Sequence, residues 1–360
     1  MPTLPSTQLR GAAHSATQTV ASVRARARRR PALAIVGLAL TLIAVCAVRV
    51  LLGSYTVTIP DFFTILGGGT IESAKGARYI VMEEKLPRAV LGALAGAAFG
   101  LGGAIFQLLL RNPIASPDII GVSNGAALGA VIGIVFLGLG GLPLTLLAIA
   151  VALAVVLVIM ALSAGDGSAG NRFILVGLGI SALGSAFIQY LLSRTSTTSA
   201  QTLTHWLAGS LSTANWDRIS LLALLLLPLL LPLLLPLILF ARPLHATAVG
   251  EELALGLGVP TRAVRSGFIA LGVLLVAVAT AATGPLAFVA FMAGPIARAL
   301  TGGRHNLTAA ALVGASLVVL ADFIGSNLIP GGINLPAGVL TGAFGAPALI
   351  WLLTRPPERS

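Results

Sequence analysis

The sequence predicts an all-α, polytopic membrane protein with about ten transmembrane helices, and three observations predict it. Of the 360 residues, 57% are hydrophobic and only 9% are charged, whereas a soluble domain carries about 25% charged residues. Mean hydropathy is +1.00. Apolar runs near the ~20 residues that a helix needs to cross a bilayer recur along the whole chain. They fall at about 33–53, 88–110, 119–138, 142–163, 172–193, 217–240, 263–283, 286–301, 307–327 and 337–354.

Residues 1–31 are polar and hold Arg10, Arg24, Arg26, Arg28, Arg29 and Arg30. A block of arginines beside a span is a topology anchor on anionic lipid rather than a nucleic-acid site. The first apolar run ends at Arg49 with no small-residue cleavage site, so it reads as a retained helix. Its Cys46 is the only cysteine and reads as a small apolar residue. With the N-terminus inside, fifteen basic residues fall on inner segments and seven on outer ones. That bias places both termini in the cytoplasm. The chain then divides into a cytoplasmic basic tail (1–31), a transmembrane domain (32–355) and a short cytoplasmic tail (356–360).

The second span is rich in small residues, among them Gly92, Gly96, Gly100, Gly102 and Gly103, which let helices approach closely in lipid. After it comes a polar, proline-broken stretch from Arg111-Asn112-Pro113 to Pro117-Asp118. Broken backbone at membrane depth survives only where protein or a water-filled path satisfies it, so the chain reads as a transport protein. In the fifth span Ser181, Ser185 and Gln189 share one face, and in the tenth Thr341 and Gly345 do. Pro228, Pro232 and Pro236 interrupt the leucine run of the sixth span and should bend it. Gly284-Pro285 opens the eighth span and Pro295 lies inside it. The two broken regions sit five helices apart and would run in opposite directions, as in an inverted repeat with its pathway between the halves.

The segment Lys85-Leu86-Pro87-Arg88, Gly103 to Gln107, Asn112-Pro113-Ile114-Ala115-Ser116-Pro117 and Gly121 to Ala126 resembles the membrane-spanning permeases of ABC importers for ferric siderophores and cobalamin. Three further signatures follow in the family's order. These are Gly250-Glu251-Glu252-Leu253 with Leu257-Gly258-Val259-Pro260, then Gly284 to Arg298, then Ala321-Asp322 with Asn334 to Pro347. The resemblance implies an inverted-repeat permease fold and a ferric-siderophore complex as cargo, with cobalamin or haem as alternatives. It implies that segment 241–262, through Gly250, Glu251, Glu252, Leu253, Leu257 and Gly258, docks on a cytoplasmic ATPase dimer. It also implies that Lys85 and Arg88 receive an extracytoplasmic binding protein, and that Ser181, Ser185, Gln189, Thr341 and Gly345 line the pathway. The form of the first signature and of Gly284 to Arg298 resembles one chain of a two-chain permease, which implies a heterodimer rather than a homodimer. The sequence departs from the family at Ile296, where a polar residue is usual, at Ser326 and Asn327, where a basic residue is expected, and at Asn334.

Gln107, Asn112, Pro295 and Asp322 are pathway or structural residues. An acidic side chain inside a span is a functional hypothesis by default, but Asp322 reads better as a buried acceptor that holds the next loop. Catalytic chemistry is not predicted. The only lysines, Lys75 and Lys85, end no phosphate-binding loop, so no ATP site is expected in this chain; the resemblance implies that a separate subunit hydrolyses ATP. His14, His205, His245 and His305 are scattered and form no metal motif, and no cofactor is expected. Two other classes remain to be weighed: an ion-coupled carrier, which needs intramembrane acids, and an intramembrane enzyme, which needs acidic or metal-binding loops.

Overall fold

The computed structural model describes residues 30–53, 55–71, 74, 76–110, 112–113, 115–118, 120–163, 169–239, 256, 261–331 and 333–354. The basic tail up to residue 29 and the predicted coupling residues Gly250, Glu251, Glu252, Leu253, Leu257 and Gly258 lie outside them. Among the described residues the chain forms twelve helices. They are α1 (Arg30–Leu51), α2 (Ile59–Leu66), α3 (Ala77–Leu109, with a π turn over Ile80–Lys85) and α4 (Val122–Leu137). Then come α5 (Gly141–Ser163), α6 (Ala169–Arg194), α7 (Thr197–Leu207) and α8 (Trp216–Leu239). The last four are α9 (Thr261–Thr283), α10 (Val289–Leu300), α11 (Leu307–Asn327) and α12 (Ala337–Thr354).

All ten predicted spans have a helix, and most ends agree within three residues. The exception is α3, which begins at Ala77, because Glu83, Glu84 and Lys85 cut the apolar run but not the helix. Both α2 and α7 are additional. Pro228, Pro232 and Pro236 all lie within the one helix α8. Asparagines open two spans: Asn215 Oδ1 accepts from the backbone N–H of Arg218 at 2.8 Å, and Asn306 Oδ1 from that of Ala309 at 2.9 Å. Each satisfies a donor that the first helical turn would leave orphaned.

The centre of the bundle is α3, buried almost all round from Ala98 to Leu108. It packs on α9, α10 and α11. Its glycines make this approach feasible: a methyl group at Gly96 would meet the carbonyl of Gly314, and one at Gly103 would meet the carbonyl of Ala290. Backbone-to-backbone contact of this kind is how small residues hold membrane helices together without a hydrophobic driving force between them. A second layer pairs α4 with α5, where Gly125 lies against Ala152 and Val155, and Gly129 against Ala148 and Val151. On the outside, α1 exposes Leu33, Val36, Leu40 and Ile43, and α6 exposes Leu175 and Leu183.

Two interactions fasten α1 to the bundle. Arg49 Nε donates to Asp322 Oδ2 of α11 at 2.6 Å, with both side chains under 10% exposed. Beyond the end of α1, Lys85 Nζ donates to the carbonyls of Leu52, at 2.9 Å, and of Tyr55.

Candidate translocation site and docking faces

Two interrupted spans build the site, one in each half. After α3 the prolines at 113 and 117 cannot donate to a helix, and the chain folds back on itself. Asn112 N–H donates to the Gln107 carbonyl at 3.2 Å, Ala115 N–H to Asn112 at 3.1 Å and Val122 N–H to Pro117 at 3.1 Å. Ala115, Ser116, Pro117 and Ile120 are buried, so this segment lies within the protein. At its end Gly121, with φ of 100°, starts α4. A side chain is strained at such a φ, and glycine is the natural residue there. Since Gly125 already lies level with Ala152, midway along α5, α4 starts deep in the bundle. That is why it has only 16 residues.

The second half repeats the device. Helix α9 ends at Thr283, Gly284 takes φ of 74°, and α10 starts after Phe288, at φ 64° and ψ −7°. Phe288 is the one non-glycine residue with positive φ among the described residues. An aromatic residue in this region costs about 1–3 kcal/mol and persists only where its surroundings hold it. Here Gly345 of α12 backs the Phe288 ring, and Phe291 meets it edge-on with centroids 6.1 Å apart. The break is tied to its neighbours through main chain: Ser210 N–H donates to Thr283 at 2.8 Å and Gly338 N–H to Gly209 at 2.9 Å. Helix α10 has only 12 residues, and two short helices after two breaks, five spans apart, are the expected inverted repeat.

Gln107 and Pro295 belong to one arrangement. Pro295 lacks an N–H, which leaves the carbonyl of Phe291, four residues earlier, without its helical donor. The Gln107 side chain, 2% exposed in α3, donates Nε2 to that carbonyl at 3.0 Å, and Gly294 leaves room for its Oε1. These two residues therefore act in structure.

Sequence reasoning passed over the polar group nearest the first break. Ser123 donates to Asp118 Oδ1 and lies 3.3 Å from the hydroxyl of Thr280 in α9. Asp118 Oδ2 is sealed from solvent and has no partner among the described residues, an exception among buried polar atoms that calls for a reason. The available signal was an acidic residue between two small-residue spans.

The pathway residues divide. In α6, Ser181 and Ser185 receive the side-chain amide of Asn124 of α4, at 2.5 and 3.1 Å to their hydroxyls. Ser185 and Gln189 are exposed. In α12, Thr341 is buried and donates to the Gly338 carbonyl at 3.1 Å, while Gly345 is filled by Phe288. Within one chain α6 packs on α4 and α5, whereas α12 packs on α10 and α11. The two predicted faces are not brought together.

The other predicted positions are also accounted for. Asp322 is the buried acceptor of an ion pair, and its partner is Arg49 rather than the adjacent loop. Lys85 is 4% exposed and committed to two carbonyls of its own chain, so it does not present a charge outward. Arg88 is less covered, with Ser212 O at 3.4 Å and Glu84 at 3.6 Å. Asn112 is half-buried at the turn after α3. Among the described residues no three His, Cys, Asp or Glu side chains gather as a metal site.

Comparison with known proteins gives this architecture a family. The chain is 34% identical over 302 residues to the ferric enterobactin transport system permease protein FepG of Escherichia coli (strain K12), covering 84% of this chain and 89% of that one. It is 34% identical to the Fe(3+)-citrate import system permease protein YfmE of Bacillus subtilis (strain 168), covering 91% and 96%. It is 33% identical to the vitamin B12 import system permease protein BtuC of Shigella boydii, covering 87% and 91%. The solved structure described as an inward-facing conformation of a metal-chelate type ABC transporter superposes with a TM-score of 0.76 at 27% identity, covering 89% of this chain and 98% of that one. A family match runs over residues 14–355, and the chain belongs to the FecCD transport family.

Proposed function

We propose that this chain is the permease subunit of an ATP-driven importer that carries a ferric-siderophore complex across the bacterial inner membrane. One observation carries the reading: two half-helices, started at Gly121 and Phe288, meet the bundle interior in a chain of this family. Broken spans in inverted halves are how a membrane protein supplies a path that can be opened from either side. An ion-coupled carrier finds less support: Asp322, the acid the sequence offered it, is neutralised by Arg49, and Asp118, though its Oδ2 is buried at the first break, lies in a chain of the FecCD transport family.

The partners follow from the same reading. A cytoplasmic ATPase dimer docks on 241–262 through Gly250, Glu251, Glu252, Leu253, Leu257 and Gly258, and both termini lie on that side. Since α6 leaves Ser185 and Gln189 uncovered, a second permease chain of the same family, in a heterodimer, closes the pathway against them. A binding protein delivers cargo to the outer face near Arg88.

Reconstitution with a cognate ATPase, second permease and binding protein tests this. ATP should drive uptake of radioactive iron as its siderophore complex into proteoliposomes, and Gly258→Asp should abolish both uptake and cargo-stimulated hydrolysis while the chain remains assembled. Uptake that persists without ATP would refute the importer. Unchanged uptake in Gly258→Asp would remove only the coupling segment.

A further inference from the structure

A cavity of about 600 Å³ opens between the start of α8, the end of α9, the end of α4 with the start of α5, and His205 and Trp206 of α7 with the chain that follows it. None of its lining comes from α6 or α12, so it is separate from the proposed pathway. On α8 the lining residues are Arg218, Leu221, Leu222 and Leu225, a spacing that turns one stripe of the helix toward the space. Across from them lie Val278 and Ala282 of α9. The charge is confined to one end. Helix α8 begins at Trp216, which puts Arg218 in its first turn and Leu225 about 10 Å further along the axis.

Arg218 is half-buried and under-used. One guanidinium nitrogen donates to Thr213 Oγ1 at 2.6 Å, whereas the group carries five N–H donors. No carboxylate among the described residues forms an ion pair with it. A partly buried cation without a counter-ion among the described residues, in a mostly apolar cavity, is an arrangement that lacks one component. The volume falls in the ~300–1,000 Å³ range of small-molecule sites.

We propose that this cavity binds an anionic amphiphile, with its anionic group on Arg218 and its apolar body along Leu221, Leu222 and Leu225. Two sources supply such chemistry: a phospholipid of the surrounding leaflet, whose phosphate would sit at the level of Arg218, and the anionic metal chelate. The site stands whether or not the translocation reading does.

The test uses the full chain in mild detergent, with dioleoyl phosphatidylglycerol and ferric enterobactin as separate probes and native mass spectrometry as the readout. Melting temperature without added probe checks the fold of each variant. Phosphatidylglycerol should bind at one tight site, and dioleoylglycerol, which lacks the phosphate, should bind weakly. Arg218→Gln, which can still donate to Thr213, should lower affinity about tenfold, as loss of a charge-assisted bond does. Leu225→Trp should lower it by filling the cavity, and Arg218→Lys should keep most of it. If the variants weaken phosphatidylglycerol alone, the ligand is lipid. If they weaken ferric enterobactin alone, or it displaces the lipid, the ligand is cargo. Affinities for both probes that are unchanged by Arg218→Gln and by Leu225→Trp would overturn the proposal.

Discussion

Replacing Gln107 with Met is expected to destabilise the chain, and the effect should largely disappear once Pro295 is also replaced with Ala. The Phe291 carbonyl receives its hydrogen bond at 3.0 Å from Gln107 rather than from residue 295. Methionine has a similar length and fills the same space, so the change removes the bond more than the packing. An orphaned buried carbonyl costs about 1–3 kcal/mol, and polar contacts between membrane helices average about 0.6 kcal/mol by themselves. The expected loss is therefore near the lower end, about 1–1.5 kcal/mol. Alanine at 295 returns an N–H to α10, and its own helical bond can then satisfy Phe291. In that background Gln107→Met should lose little, which gives a coupling of about 1 kcal/mol for two residues on different helices. The four chains would be compared by reversible unfolding in SDS mixed micelles, followed by circular dichroism. Equal costs of Gln107→Met in both backgrounds would refute the argument and make Gln107 a packing residue against Gly294.

Three further outcomes follow from the same structure. Arg49→Ala or Asp322→Ala alone should cost about 3–5 kcal/mol, because each leaves a buried charge unpaired, whereas Arg49→Met with Asp322→Leu should cost much less; the SDS titration measures all three, and additive single effects would rule out a coupled pair. Arg88→Glu should weaken capture of the binding protein more at low than at high salt, as read by binding at two ionic strengths, while Lys85→Glu should reduce the yield of folded chain, because its ammonium holds the end of α1. Ser185→Trp should block uptake in proteoliposomes and leave assembly intact, but Gly345→Trp should fail to assemble, since Phe288 already occupies that space; normal assembly of the latter would mean the α12 face is open.

Apolar length was readable because lipid imposes it: the ninth and tenth spans begin and end at the helix ends found for α11 and α12. Helix α7 escaped notice because Thr197–Leu207 is threonine-rich and carries no apolar run. The early start of α3 escaped because charge ends a hydropathic segment but not a helix. The glycine stripe of α3 announced close packing, yet it could not say that Gly103 would meet Ala290 rather than a partner chain. At Phe288 nothing in the sequence marks a left-handed residue, for only the surrounding packing makes that conformation tolerable.

The buried charges show how far such reading can go. A charge within an apolar bundle requires a partner, so Arg49 and Asp322 each announced an unseen counterpart, although 273 residues separate them. Both lie near the ends of their spans, and the alternation of ten spans puts those ends on the same face of the membrane. Few ionisable groups share that level, so the pair could have been proposed from topology before any coordinates. Lys85 shared that level too, and what excluded it was the need of Leu52 and Tyr55 for donors where α1 stops. That need is set by where a helix ends, which the chain decides only when it is packed. Asp118 is the remaining case: its other oxygen accepts from Ser123, which lies 3.3 Å from Thr280 of α9, so the one buried side-chain polar atom left unsatisfied among the described residues belongs to the first broken span.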